Sequence, residues 1–535
     1  MPSAKDLLRQ YDAIKGSRRS FDQHYEDLAG VMAPGRLGFT SGQAEGGRRG
    51  DERFDGTPMQ AARGLANATG GLLRPEGQQW FFVETEDRIE QEDRQAKDWL
   101  AAAERRQMAA MDNPKARFRQ ATGEADFDAV VFGSADVFVG ERGDLGGLLY
   151  QAQHLKDTWV RLDDDGQPEA HFRRRWLTAP QAAVKLGEAN IGERARDLLD
   201  RNDVETRLEY AHVVVKREDG REDASLARNF PWGSWWFEVA SQAQVAEGGF
   251  REFPFVFFRW DTTSGETYGR GPGMIALPDS LTLQAVGETL LESGQRAADP
   301  PLFVPDDGAF NAANTFPGGL TYYDVELAKA LCRIPVAPMD VGTNLPIGRD
   351  IQRDLREQVF AAFFRNVLNL PIDGPQMTAT EVIERKEQFI REVGSVFGRL
   401  ESDYTAPLVE RTFAIMLRAG AFGPVPPSLQ GRAIRFRYAI PVKRVRQEVE
   451  AAAIRLTLEE ALLLSQARPE VLDNFDVDAI ARFWIEARNL PDGIAVDREQ
   501  VEAIRGQRQQ QIQAMQIADL VERGAGVANL LGGAA

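Results

Sequence analysis

The chain has 535 residues, 43% of them hydrophobic and 27% charged, with nine Trp and thirty Phe. That much apolar surface excludes wholesale disorder and gives room for about three or four structural units. A formal charge of −17 argues against a protein that grips nucleic acid through a basic exterior, and a single cysteine, Cys332, excludes an intrachain disulfide and any zinc-ligand spacing.

Residues 1–32 carry Leu7, Leu8, Tyr11, Ile14 and Phe21 at roughly helical spacing, and 34–52 read as a Gly/Ser/Arg-rich loop. Neither a secretion signal nor a run of about 18 apolar residues is found, so no membrane span is expected. A closely packed helix is predicted from Pro58 to Leu73, a strand at Trp80–Val83, and further helix over 90–132. From 135 to about 260 the pattern becomes strand-like. Asp164-Asp165-Gly166 and Glu218-Asp219-Gly220 read as hairpin turns, because glycine tolerates positive φ. This part predicts an α+β domain with antiparallel strands.

A helix over 278–298 follows, with Pro278 at its first position and Leu283, Val286, Leu290 and Gly294 at helical spacing. Residues 299–346 are punctuated by proline and glycine. A second helix, 347–368, repeats Ile351, Leu355, Val359, Phe363 and Val367 every four residues, which predicts one apolar stripe. Leu370 to Pro375 breaks it. Thr378-Ala379-Thr380-Glu381 reads as a capping box for a long helix, with an interruption expected at Pro407 and a stop at Gly420. Ile434, Phe436, Tyr438 and Ile440 alternate with Arg435, Arg437 and Ala439 as in a half-buried strand, and almost everything beyond 444 is helical.

No catalytic, metal or cofactor residue is assigned. The phosphate-cradling Gly-x-x-x-x-Gly-Lys-[Ser/Thr] loop and the Gly-x-Ser-x-Gly elbow are both missing. His24, His154, His171 and His212 are scattered, and His212 reads as a packed histidine. Asp163-Asp164-Asp165 reads as a turn, and Arg173-Arg174-Arg175 as a solvated face or subunit contact. A nucleic-acid-processing enzyme with divergent carboxylates and a helical scaffold without a DNA role remain the alternative classes.

Four motifs, in order, resemble the podovirus head-to-tail connector (portal) family. They are Asp51 to Thr57 with Ala61 to Ala66; Tyr268 to Gly273 with Ala276 to Asp279; Pro300-Pro301-Leu302 with Asp306-Asp307-Gly308; and Met377 to Val382 with Glu384-Arg385. The likeness covers about residues 1–450, and departs at Ile440-Pro441-Val442-Lys443-Arg444.

The resemblance implies an α+β, mainly helical portal fold with wing, stem, clip and crown, assembled as a ring of roughly twelve subunits around a channel. It implies an N-terminal wing over 1–277, a first stem helix over 278–298, a clip over 299–346 and a second stem helix over 347–368. A tunnel loop over 369–377, a long wing helix and strand over 378–444, and a helical crown over 445–535 complete it. Double-stranded DNA, held transiently and without sequence preference, a terminase motor, tail adaptors, and capsid and scaffolding proteins are the implied partners, with no membrane. The implied location is the portal vertex of the virion, after assembly in the host cytoplasm.

Within this frame the tunnel-loop candidates are Asn369, Pro371, Asp373, Gly374, Pro375 and Gln376, with an ordinary inter-helix loop as the alternative. Clip docking candidates are Phe303, Asp306, Asp307, Phe310, Tyr322 and Tyr323. The clip and first stem helix are net acidic, as a low-friction DNA passage requires, since many Lys and Arg would make each phosphate contact adhesive. On the second stem helix Arg349, Arg353 and Arg356 are the candidates for DNA-facing cations. A solvated face with salt bridges to a neighbouring subunit is the other reading.

Overall fold

The computed structural model describes residues 4–42, 47, 53–85, 94–142, 147–306, 317, 319–324, 337–338, 345–365, 394–438, 441–466, 468–487 and 501–513. The chain divides into two units, Met1–Pro441 and Val442–Ala535. Helix dominates, with several small sheets, so the α+β, mainly helical class holds.

The first unit opens with α1 (Ala4–Ser17) and α2 (Arg19–Met32). The predicted single helical stretch breaks at Arg18, which is 2% exposed. Arg18 turns inward to donate to the Thr158 carbonyl and, at 2.8 Å, to Asp22. Then come α3 (Thr57–Leu73), β1 (Phe81–Thr85), α4 (Arg94–Met111) and α5 (Phe118–Phe132). The expected antiparallel region follows as β2 (Ser134–Glu141), β3 (Leu148–Gln153), β4 (Thr158–Leu162), β5 (Pro168–Thr178), α6 (Ala179–Leu186), α7 (Glu193–Asp200), β6 (Arg207–Lys216), β7 (Trp232–Glu238), β8 (Ala243–Phe250) and β9 (Phe255–Arg259).

Strands β4-β5-β6-β7-β8 form one sheet, and β3-β2-β9 another. Alternation along β5, β6 and β7 sends opposite side chains to two cores. Tyr210, Leu208 and Trp236 pack with Ala182 and Leu186 of α6 on one face. Phe172, Val213 and Phe237 pack with Leu7 and Tyr11 of α1 on the other. Burying each such aromatic contributes about 2–3 kcal/mol. The Asp163–Gly166 turn is present: Gly166 has φ +77°, and Asp163 N donates to Gln167 O at 2.8 Å. The Glu218-Asp219-Gly220 hairpin is not. These residues lie in a longer loop, 217–231, where Gly220 serves close approach, since a Cβ there would sit 2.4 Å from Pro231 Cα.

Arg173 is not solvated as expected. It is 3% exposed, donates from Nε to His212 Nδ1 at 2.8 Å, and lies over the Trp236 and Phe255 rings. His212 Nε2 meets Ser234 Oγ at 2.8 Å, so His212 is the satisfied packed histidine that its strand position predicts. Strand alternation placed Arg173 on an inner face, and hydrogen bonding with aromatic packing makes that tolerable.

The Tyr268–Gly273 motif has a backbone reason. An added Cβ on Gly269, Gly271 or Gly273 would come within 2.4–2.8 Å of Gly133 or Val131 backbone atoms. Glycine therefore lets the end of α5 dock against the start of α8 (Pro272–Ala298). That helix begins at Pro272, not at Pro278 as the spacing predicts. Pro272 follows the extended Gly271 and takes the first turn, and Pro278 is carried inside the helix. Beyond α8 lie β10 (Leu302–Asp306), β11 (Leu320–Asp324), β12 (Ala337–Pro338) and α9 (Leu345–Ala362).

The long helix does break beside Pro407. A π-helical turn, Glu401–Thr405, precedes α10 (Ala406–Arg418), and Gly420 ends it at φ +69°. The strand β13 (Ile434–Tyr438) pairs antiparallel with β1, Phe81 opposite Tyr438.

The second unit contains most of α11 (Pro441–Ser465), then α12 (Val477–Ala487) and a helix over 501–513. Arg505 binds both carboxylate oxygens of Asp478, at 2.5 and 2.7 Å, tying the last two together.

Candidate functional site: two paired helices and their clasp

Helices α8 and α9 pack side by side, with the β10–β12 module between them in the chain. Gly348 brings the two backbones close, since a Cβ there would meet Leu290 Cδ2 at 2.5 Å. Of the predicted stripe on α9, Val359 and Phe363 are buried at 0% and 1%, whereas Ile351 is 47% exposed and Leu355 is half-buried. The stripe thus seals only the C-terminal part of the helix. Helix α9 stops at Ala362, short of the predicted 368; Phe364 takes a left-handed φ of +55°. Val367 lies outside the described residues.

A turn from the N-terminal part of the chain holds both helices. Phe54 N and Asp55 N donate to Gln284 Oε1 of α8 at 2.8 and 2.9 Å, and Gln284 Nε2 donates back to Asp55 O at 2.7 Å. The Asp55 carboxylate accepts from Arg356 Nε at 2.9 Å and from Gln352 Nε2 at 3.3 Å, both on α9. Its other oxygen accepts from Thr57 N at 2.8 Å, which also caps α3. Burial pushes the Asp55 pKa up, but the hydrogen bonds from Thr57 and Arg356 outweigh it, so the group sits below the usual carboxylate value. Gly287 admits this turn: a Cβ there would lie 3.0 Å from Phe54 Cβ.

The three arginine candidates therefore part company. Arg356 is ion-paired with Asp55 at 2.9 Å while its side chain stays 45% exposed. Arg353 is 66% exposed and, among the described residues, its ion pairs are long, 3.4 Å to Asp350 and 3.9 Å to Asp354. Arg349 is exposed and has no ion pair among the described residues. Asp55, Gln284 and Gln352 escaped sequence reasoning. The Asp51–Thr57 motif marked the place, but the partners lie 229 and more residues away in the chain.

Strands β10 and β11 run parallel, Phe303 opposite Thr321 and Asp306 opposite Asp324, and β12 pairs antiparallel with β10. Phe303 and Asp306 thus share β10, and Tyr322 and Tyr323 share β11. Asp307 and Phe310, and all of Asn369, Pro371, Asp373, Gly374, Pro375 and Gln376, lie outside the described residues. Among the described residues no cluster of His, Cys, Asp and Glu could hold a metal ion, and no helix is long and apolar enough to cross a membrane.

Two long helices are thus held by a distant turn, with a small sheet module spliced between them in the chain. Residues 4–495 match the family described as "Bacteriophage head to tail connecting protein", and the chain belongs to that family. It is 27% identical to the probable portal protein of Bordetella phage BPP-1, over 99% of this chain and 95% of that one. It is 26% identical to the portal protein of Salmonella phage epsilon15, over 95% and 92%. A chain from the virion of a native gene transfer agent particle aligns over 80% of this chain and 94% of its own, with 12% identity and a TM-score of 0.34, too slight a likeness to argue from.

Proposed function

We propose that this head-to-tail connector acts as one subunit of a closed ring, with α8 and α9 as the stem around a channel for double-stranded DNA. The α8–α9 pair locked by Asp55 is the observation that carries this reading. A stem must keep two helices in fixed register while DNA passes, and the clasp supplies that stiffness from outside the pair. Apolar side chains left on the surface of the pair, Ile275, Leu281, Ile347 and Ile351, suit contact with neighbouring stems. In the second unit Leu462, Leu463 and Leu464 are likewise exposed, which suits a crown of packed helices.

The channel works by not holding its cargo. Glu288 and Glu292 on α8 repel phosphate, while Arg349 and Arg353 offer few and weak contacts, so counterion release stays small and sliding stays easy. The β10–β12 module is the clip, docking the terminase motor during packaging and tail adaptors afterwards. Residues 369–377, with Pro371, Gly374 and Pro375 among them, serve as the tunnel loop that the family resemblance implies. The ring has roughly twelve subunits and sits at one capsid vertex. Energy comes from the motor, and no bond is made or broken here.

The test is deletion of 371–375. Rings should still assemble and heads should still fill, but filled heads should lose DNA. Undiminished retention would reject a role for this loop in holding packaged DNA.

A further inference from the structure

A cleft of about 270 Å³ opens where the Asp163–Gly166 turn, the start of β7, strand β9 and the start of α10 meet. Gln167, Pro168, Trp232, Phe253, Ser402 and Pro407 line it and all keep accessible surface. The Trp232 and Phe253 rings pack with their centroids 4.7 Å apart. Trp232 Nε1 has no hydrogen-bond partner among the described residues and is not sealed from solvent. The charged groups of the wall are already answered. Arg259 donates to Gly166 O at 3.1 Å and has Asp403 nearby as counter-charge. Arg411 donates to Val139 O at 2.9 Å and to Glu252 at 3.1 Å. An aromatic and proline wall with a free indole N–H and no charge to spare fits an uncharged, extended, proline-rich chain.

The same unit presents such a chain elsewhere. Ala419 to Gly431 carries no charged residue, and Pro424-Val425-Pro426-Pro427 lies within it. Pro424 and Pro427 are exposed, and Val425 and Pro426 are half-buried. Pro426 sits at φ −55° and ψ 145°, in the polyproline II region. The ring of Pro424 fixes its own φ, and the proline after Val425 holds that residue extended. Phe422 and Leu429, each 3% exposed, anchor the segment on either side. Phe422 stacks on Phe413 of α10 at 4.7 Å and meets Trp99 of α4 edge-on at 6.0 Å. Phe413 lies two residues beyond Arg411, a rotation of about 200°, so the segment is pinned to the side of α10 away from the cleft. While those anchors hold, it cannot enter the cleft of its own chain.

We propose that the cleft receives the Pro424–Pro427 segment of a second copy, with prolyl rings against Trp232 and Phe253 and a segment carbonyl accepting from Trp232 Nε1. The prolines pre-set the bound shape, so docking forfeits little chain entropy. Cleft and segment match in chemistry and lie on opposite sides of one helix. That is the disposition a head-to-tail contact needs, since one face of each subunit must meet a different face of the next. The inference rests on the ring reading and names one of its subunit contacts.

Two full-length variants, Gln167→Cys and Val425→Cys, are mixed, assembled, treated with a short bis-maleimide and mapped by mass spectrometry. Neither variant carries both new cysteines, so any link between positions 167 and 425 joins two chains; links to the native Cys332 have different masses. The 167–425 link should appear in the mixture. Adding Pro424→Ser and Pro426→Ser to the Val425→Cys chain should reduce it about tenfold and raise the protein concentration needed for assembly by a similar factor, as expected when the preformed shape is lost. Intact rings without the link, or a link that survives both serines, overturn the inference and leave the ring standing. A wild-type chain that forms no ring would instead overturn the proposed function. Should Val425→Cys fail to fold, Ser428→Cys takes its place.

Discussion

Arg356 Nε donates to Asp55 Oδ2 across 2.9 Å, joining a turn before the third helix to the second of the two paired long helices. The side chain of Asp55 is 3% exposed and that of Arg356 45% exposed, so the aspartate is the committed partner and the arginine partly solvated. Replacing the carboxylate removes three acceptor contacts at once, from Thr57, Gln352 and Arg356.

Asp55→Ala should therefore destabilise the first unit by about 2–3 kcal/mol, and Arg356→Gln by about 1 kcal/mol or less, because the arginine end is screened. Denaturant unfolding of both variants checks the order. Equal losses would mean that the clasp owes little to Thr57 and Gln352. The Asp55 pKa lies below the ordinary carboxylate value, so its contribution is present above pH ~4 and fades as pH falls through the lowered value.

Arg349 and Arg353 should behave differently from Arg356. Changing each to Gln should lower the salt dependence of duplex binding by isolated rings by about one unit of slope per arginine, with stability within ~0.5 kcal/mol of wild type. Arg356→Gln should leave the slope unchanged. A slope that ignores Arg349 and Arg353 would place their side chains away from DNA.

The glycine contacts predict a folding defect. Gly271→Ala would drive a Cβ to 2.8 Å from Gly133 N and 2.9 Å from Ala129 O, and Gly133→Ala adds an unfavourable φ of +77°. Each should cost about 3 kcal/mol or more, read as loss of soluble folded protein or of several degrees in Tm. Gly64→Ala, where an added Cβ meets nothing within 4 Å, should be harmless.

Buried histidines set an acid limit. Burial lowers the pKa of His154, His171 and His212 below 6.5; Asp136 opposes it at His171, while Arg36 at His154 and Arg173 at His212 reinforce it. A base with a lowered folded value binds fewer protons folded than unfolded. Stability is therefore full above about pH 6.5 and declines as pH falls below it, by at most ~1.4 kcal/mol per unit per histidine. Asp128, pushed up to about 6 by burial against the pull of Arg36, acts the other way between its ordinary 3.8 and 6. Tm should fall as pH drops from 7 to 5, more steeply below pH 6 than above it, with Asp128 offsetting part of the loss. His154→Asn, which can keep the acceptor for Lys156 N, should shallow the fall; an unchanged profile would contradict this.

Much of the architecture is legible in local pattern. Alternation marked β13, strand-like runs with turn signals marked the antiparallel region over 135–260, and period-four repetition marked α9, because burial on one face imposes those periods. Pro407 and Gly420 punctuate the long helix as their chemistry requires. Long-range partners are not legible. The acidic Asp55 and basic Arg356 are 301 residues apart, and Phe81 and Tyr438 meet only because β1 and β13 fold together. Arg173 looked like part of a surface charge run, since no local rule says that His212 and two aromatic rings await it. Pro272 and Pro278 both suit a helix start, and packing of the Gly269–Gly273 run on α5 decided between them.

The purified 535-residue chain, viewed end-on by electron microscopy, should form closed rings of roughly twelve subunits, with α8 and α9 of each lining a central bore wide enough for a B-form duplex. A monomer, or an oligomer of any size with no axial hole, would contradict the proposed ring.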